Sequence, residues 1–313
     1  MKLLVLREGV HGLSPASYAE TLRSQLDGYT IAHASTPDEE RREIESADIV
    51  TGLSIDEALL DRAQNLRVFA CAYAGTGHLP RAALSKHGIE VTNAAGVHTA
   101  SASEHVLGSI LTFSRRLHEA ARSDRWQPSS PRELFGATVT IVGLGAIGTA
   151  IAERLHPFGV TTIGIRRSPD AGGPTDEVFG PNRLHDALAR SDFVVLCCPL
   201  TDETRGLIGS EEIATLSPDA VLINVARGEV LDTDALVTGL RRGRLGGVAL
   251  DVTDPEPLPD DHPLWDLDEV LITPHTAGAT PKYYDRLANI LVDNVERLEA
   301  GRPLRNRVCL EET

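Results

Sequence analysis

Gly143-x-Gly145-x-x-Gly148 closes an apolar run, ATVTIVGL, and opens a stretch that reads as helix. Glycines at that spacing permit a tight turn, a close approach of backbone to a pyrophosphate, and tight packing of helix on strand. The anion would rest at the positive end of the helix dipole. Ala146, Ala150 and Ala152 are small enough for that packing, and Gly143, Gly145, Ala146, Ile147 and Gly148 are the candidate cofactor cradle. An ordinary strand-to-helix turn is the plainer reading; the flanking strand and helix favour the dinucleotide. The next apolar run, VTTIGIRRSP, ends in Arg166-Arg167-Ser168, with no acid before Asp170. Sites for NAD commonly place an Asp or Glu there, on the ribose 2′-hydroxyl. A guanidinium pair would instead grip a 2′-phosphate through charge-assisted, forked bonds. The same residues could form a solvated basic strand end. The expectation is NADP(H) in preference to NAD(H).

Such a cradle needs a parallel sheet beneath it, and the chain supplies two sets of candidate strands. KLLVL, DIVTGL and LRVFACAYAG lie in the first part, between segments with helix-start signals. Thr36-Pro37-Asp38-Glu39 is a capping box with proline at the first helical position, and Ser54 to Glu57 and Ser101 to Glu104 repeat the Ser-x-x-Glu form. The second part runs ATVTIVGL, TTIGIRR, DFVVLCCPL, AVLINVA, GGVALDV and EVLITP, continuous apolar runs of the kind buried on both faces. Alternating strands and helices predict parallel sheets covered by helices. Between the parts, SASEHVLGSILTFSRRLHEAARSDRW reads as one long helical stretch, followed by QPSSPRE, and together they are the candidate crossover. The last helix, near PKYYDRLANILVDNVERLEAGRP, is expected to fold back onto the first part.

A chain of 313 residues, 42% of them hydrophobic, is long enough for two domains with a core each. It has no apolar run of about 18 residues, so no membrane span is expected, and the early Arg7 and Glu8 argue against a secretory leader. A cytoplasmic protein follows. The formal charge of −15 disfavours nucleic acid and anionic membranes as partners. Lys2, Lys86 and Lys282 are the only lysines, and an acidic, lysine-poor surface suits a halophilic, high-salt cytoplasm. Cys71, Cys197, Cys198 and Cys309 form no CxxC and are read as buried, reduced thiols rather than a metal site or disulfides.

INVARGEVLD (223 to 232), LDVTDPEPLPDDHPLW (250 to 265) and LITPHTAG (271 to 278), with TIVGLGAIG and NAAGVHTASASEHVLGSIL (93 to 111), resemble the D-isomer-specific 2-hydroxyacid dehydrogenases, in the same order along the chain. The resemblance implies an α/β protein of two Rossmann-like domains. Its cofactor domain, 100 to 276, would be inserted into a discontinuous, flavodoxin-like substrate domain, 1 to 99 with 277 to 313. It implies a homodimer joined largely through the cofactor domain, and a domain closure that brings the reacting groups together.

The same resemblance makes Arg227, Glu256 and His275 the catalytic set; spacing alone does not reveal that they converge. Reduction of a 2-oxo acid needs a cation for its carboxylate and polarised carbonyl, which Arg227 supplies. The alkoxide needs a proton, which a histidinium at His275 gives, with Glu256 orienting the ring. His98, His105 and His262 are rival histidines, His105 being read as structural. Family position also implies that Ala74, Gly75 and Thr76 bind the substrate carboxylate through backbone N–H groups. Tyr73 either contacts the substrate or fills the cleft. Gly77-His78-Leu79 departs from the family's Asp-rich continuation, which leaves the pocket's shape open. Thr99 is implied near the nicotinamide, and Pro199, Thr204, Ala226 and Asp251 near the dinucleotide. No metal is expected. The partner is a small 2-oxo or 2-hydroxy acid. A second reading is a dinucleotide-sensing, corepressor-like module with little catalysis, and a third is a phosphite- or formate-oxidising relative, the formate branch disfavoured by the short N-terminal segment.

Overall fold

The computed structural model describes residues 1–126 and 128–310. The chain divides into two compact units, Met1–Val97 with Thr280–Thr313, and His98–Ala279. It passes between them at Val97–His98 and again at Ala279–Thr280, so the whole helical stretch expected as the crossover belongs to the second unit. Gln127, in the expected Pro/Ser-rich linker, lies outside the described residues, as do 311–313.

The first unit is a five-stranded parallel sheet: β1 (Lys2–Val5), β2 (Thr30–His33), β3 (Ile49–Gly52), β4 (Val68–Cys71) and β5 (Glu90–Thr92), in the order β2-β1-β3-β4-β5. Alternate side chains serve opposite faces. Leu3, Val5, Ile49, Val68 and Ala70 pack with Tyr18 and Leu22 of the helix Pro15–Gln25 and with the final helix, Tyr283–Glu299. Leu4, Val50, Phe69 and Val91 pack with Ile44, Leu60 and Leu84 on the other face. Each fully buried Leu, Ile or Val is worth about 1.5–3 kcal/mol, so both faces contribute. The final helix folds back onto the first unit because Leu287, Ile290, Leu291 and Val295 form one apolar stripe at helical spacing.

The second unit is a seven-stranded parallel sheet: β6 (Thr138–Val142), β7 (Thr161–Ile165), β8 (Glu177–Phe179), β9 (Phe193–Leu196), β10 (Val221–Asn224), β11 (Gly247–Leu250) and β12 (Val270–Ile272). Their order is β12-β11-β10-β9-β6-β7-β8. Winding reverses between β6 and β9, and in the first unit between β1 and β3. In open α/β sheets such switch points open a crevice at the carboxyl ends of the strands. Among the described residues no helix is long and apolar enough to cross a membrane.

Several expectations need correction. β2, β5 and β8 are edge strands with partly exposed residues, so they lack the continuous apolar run that marks the inner strands. Thr36 does cap its helix, accepting from the Glu39 N–H. Ser54 does not: the short helix Glu57–Leu60 is capped by Asp56, which accepts from the Leu59 N–H at 2.7 Å. Ser101 lies inside the helix Thr99–Ser114, whose N-cap is His98. The long helical stretch breaks at Arg116, left-handed at φ 52°, and resumes as Leu117–Arg122. Cys309 is exposed and Cys197 only partly buried; all four thiols are free.

Candidate active site and cofactor cradle

β6 ends at the switch point in the second unit, and the chain leaves it through the three glycines. Gly143 has φ +106°, and a Cβ there would sit 2.7 Å from the backbone nitrogen of Cys198, beyond β9. A Cβ on Gly148 would meet the Gly143 carbonyl at 2.0 Å, so the helix Ala146–Leu155 lies directly against the turn. Gly145 is the helix N-cap in ordinary extended backbone, and a Cβ there would meet no atom within 4 Å. Gly145 and Ala146 are exposed. The first-turn amides of a helix have no carbonyl partner within it, so they face this open ground as donors. A pyrophosphate fits such a cradle.

At the end of β7, Arg166 is half-buried and donates from Nη1 to the Gly172 carbonyl at 2.5 Å. Arg167 is exposed and pairs with Glu203 at 3.3 Å; Ser168 is exposed beside it. After β9, the Thr204 hydroxyl donates to the Pro199 carbonyl at 2.7 Å and accepts from the Thr201 N–H at 2.8 Å. At the first residue of the helix Thr99–Ser114, the Thr99 hydroxyl is buried without a partner among the described residues.

The loops after β10, β11 and β12 carry Arg227, Glu256 and His275. Asn224, fully buried, shapes the first: its Oδ1 accepts from the Ala226 N–H at 3.0 Å and its Nδ2 donates to the Arg227 carbonyl at 3.0 Å. Arg227 is exposed and donates from Nη1 to the Ala226 carbonyl at 2.6 Å. Gly228 brings this loop against the next, since a Cβ there would lie 2.1 Å from the Thr253 carbonyl. Glu256, between Pro255 and Pro257, accepts from His275 Nδ1 at 2.6 Å, with both side chains a little under half exposed. A carboxylate only accepts, so Nδ1 carries the proton and Nε2 is the ring atom left to exchange one. Arg227, Glu256 and His275 thus all lie in one unit, on neighbouring loops at the carboxyl ends of adjacent strands.

His275 itself is left-handed, at φ 51°. Its loop is wound around Asp251, whose buried carboxylate accepts from the Thr273 hydroxyl at 2.6 Å, the Thr276 N–H at 2.8 Å and the Ala277 N–H at 2.9 Å. The Asp251 carbonyl accepts from the His275 N–H at 2.9 Å. Of the rival histidines, His105 reaches the Thr273 hydroxyl at 3.3 Å, His98 reaches the Gly278 carbonyl at 2.8 Å, and His262 caps the turn Pro263–Asp266. Asn224 and the organising role of Asp251 escaped sequence reasoning. An Asn ending a buried strand, and a Gly directly after Arg227, were the available signals.

In the first unit, the loop after β4 carries Tyr73, Ala74, Gly75 and Thr76. Asn93 pins it by donating to the Ala74 carbonyl at 2.7 Å. The N–H groups of Ala74, Gly75 and Thr76 have no partner among the described residues, and Gly75 is exposed. Three consecutive amides of this kind can receive a carboxylate. Among the described residues no group of His, Cys, Asp and Glu could hold a metal ion.

Residues 107–277 match the model of the D-isomer specific 2-hydroxyacid dehydrogenase NAD-binding domain. The chain is 40% identical over 256 residues to a glyoxylate reductase of Thermofilum pendens, covering 77% of this chain and 74% of that one. A D-isomer specific 2-hydroxyacid dehydrogenase family protein from Aeromonas salmonicida has a similar structure, with a TM-score of 0.79, 31% identity and 99% of each chain covered. So has the "Probable 2-hydroxyacid dehydrogenase" of Rhizobium etli CFN 42 in complex with NADP, with a TM-score of 0.77 and 28% identity over 99% of this chain and 98% of that one. The chain belongs to the D-isomer specific 2-hydroxyacid dehydrogenases, and is an NAD(P)-dependent oxidoreductase acting on small 2-oxo and 2-hydroxy acids.

Proposed function

We propose that this chain is a 2-oxo acid reductase that prefers NADPH, with Arg227, Glu256 and His275 as its catalytic residues. The observation that carries the reading is the 2.6 Å bond between His275 Nδ1 and Glu256. It fixes the ring's resident proton on Nδ1, which leaves Nε2 as the nitrogen that can exchange a proton with a substrate. The bound cofactor supplies the hydride. Arg227 takes the substrate carboxylate and polarises the carbonyl, and His275 Nε2 delivers the proton to the new alkoxide; in the oxidative direction neutral Nε2 takes it back. Ala74, Gly75 and Thr76 are proposed to hold the carboxylate by their amides, with Tyr73 beside them. The name of the Thermofilum relative makes glyoxylate the first substrate to try.

Gly143, Gly145, Ala146, Ile147 and Gly148 are proposed to hold the pyrophosphate, and Arg166, Arg167 and Ser168 the 2′-phosphate. NADP in the Rhizobium relative supports that preference. Pro199, Thr204 and Ala226 are assigned to the dinucleotide. Thr99 is assigned to the nicotinamide end, where its orphaned hydroxyl would find a partner. Asp251 already accepts three bonds from its own unit, so we assign it to holding the His275 loop. A homodimer is proposed on the exposure of Leu117, Trp126 and Phe135. The four free thiols fit a cytoplasmic setting.

The test is His275→Ala with NADPH and glyoxylate. Turnover should fall about 10²–10⁴-fold, the usual worth of a positioned acid, while NADPH binding stays near wild type. Loss of NADPH binding would make His275 structural and refute the assignment.

A further inference from the structure

In the first unit the winding reverses between β1 and β3, so its crevice opens at their carboxyl ends. His11 lies in the loop after β1, Leu53 follows β3, and Tyr73 and His78 follow β4, the next strand along. These residues touch. The His11 ring stands 5.6 Å from Tyr73 and meets Tyr283 edge-on at 4.9 Å. His78 meets Tyr73 edge-on at 6.5 Å. A Cβ on Gly75 would come to 3.8 Å from the Tyr73 ring, so this cluster abuts the amides of Ala74, Gly75 and Thr76. His11 holds its place in left-handed backbone, φ 55°, which few residues other than glycine adopt.

The hydrogen bond of His78 fixes what it can offer. Its Nε2 lies 2.8 Å from the Leu53 carbonyl, which only accepts, so Nε2 carries the proton. In the neutral ring Nδ1 is then an acceptor. An acceptor beside an aromatic wall suits a hydroxyl donor and offers nothing to a methyl group.

We propose that His78, with His11 packed against the same tyrosine, determines specificity by selecting 2-oxo acids that carry a C3 hydroxyl over their alkyl counterparts. The proposal rests on the reading that Ala74–Thr76 hold the carboxylate, beside which the Tyr73 ring lies.

The experiment is steady-state NADPH oxidation with three probes: glyoxylate, which has no C3; pyruvate, with a methyl; and hydroxypyruvate, with a hydroxymethyl group. Wild type should favour hydroxypyruvate over pyruvate in kcat/KM. In His78→Phe that ratio should fall about tenfold or more, the discrimination expected of one hydroxyl hydrogen bond, while glyoxylate changes less than about twofold. His78→Gln, with an amide donor for Leu53 and an oxygen acceptor, should restore part of the ratio. An unchanged ratio, no wild-type preference, or an equal fall for all three substrates would each overturn the proposal. Thr76→Pro tests the carboxylate reading separately. It deletes one amide and should raise the KM for glyoxylate; no rise there sinks that reading whatever His78 does.

Discussion

Gly145→Ala separates the cofactor cradle from the fold that carries it. Gly145 sits in extended backbone, and a Cβ would meet no protein atom within 4 Å. The structural cost is therefore only that of a poorer N-cap, about 0.5–1 kcal/mol. For a unit of this size that lowers Tm by roughly 1–4 °C. If the pyrophosphate lies on the helix N-terminus, the added methyl stands where a phosphate oxygen must approach. Losing one charge-assisted bond of about 1.5–3 kcal/mol weakens NADPH roughly 10- to 100-fold. Gly143→Ala is the contrast. Its φ of +106° costs an L-residue about 1–3 kcal/mol, and the Cβ would also stand 2.7 Å from the Cys198 backbone nitrogen. That variant should melt far below wild type or fail to fold. Calorimetry gives Tm, and titration of NADPH fluorescence gives Kd. Wild-type NADPH affinity in Gly145→Ala would refute the cradle; melting as early as Gly143→Ala would refute the claim that its surroundings are open.

Asp251→Asn puts an NH2 where a carboxylate oxygen now accepts, so at least one of the bonds from Thr273, Thr276 and Ala277 becomes donor against donor. Turnover should fall about tenfold or more with a Tm loss, since a buried bond to a charged group is worth about 1.5–3 kcal/mol; a wild-type kcat would count against Asp251 as the loop's anchor. Replacing Arg166 by Asp and Arg167 by Ala should shift the kcat/KM ratio toward NADH, and an unchanged ratio would sink the 2′-phosphate assignment. Burial pushes the Cys71 thiol up to about 11 and also raises Cys197 and Cys198. Because the thiolate is the reactive form, all three should resist iodoacetamide at pH 8 and Cys71 should begin to react only as pH approaches 11, whereas exposed Cys309 should label readily. Mass spectrometry that found Cys197 or Cys198 alkylated first in native protein would contradict that order.

The inner strands were legible because burial on both faces favours apolar side chains at successive positions, as in FVVL of β9 and GVAL of β11. Edge strands escape that rule. β2 (TIAH) has no fully buried residue, and nothing in its composition separates it from loop. Helix starts were legible only in part, because Ser-x-x-Glu recurs by chance and Asp56 or His98 can hold the cap position instead. The glycine turn could be read from spacing, since a missing Cβ is a local requirement, met here by contacts at 2.0 and 2.7 Å. The pairing of Glu256 with His275 could not. Nineteen residues separate them, and their meeting depends on β11 lying beside β12. Family resemblance supplied what spacing could not.

His275 adds a last point about how the site is held. A histidine at φ 51° costs about 1–2 kcal/mol that a glycine would avoid. Such a conformation persists only when its surroundings over-determine it. Here they do. Asp251 receives three hydrogen bonds from the loop through its side chain and one from His275 through its carbonyl, and Gly278 closes the far end against His98, whose ring would lie 2.8 Å from any Cβ there. Buried bonds to a carboxylate at about 1.5–3 kcal/mol each outweigh the backbone cost severalfold. The loop therefore holds its shape without help from the bond to Glu256. That bond is left to fix which imidazole nitrogen carries the resident proton.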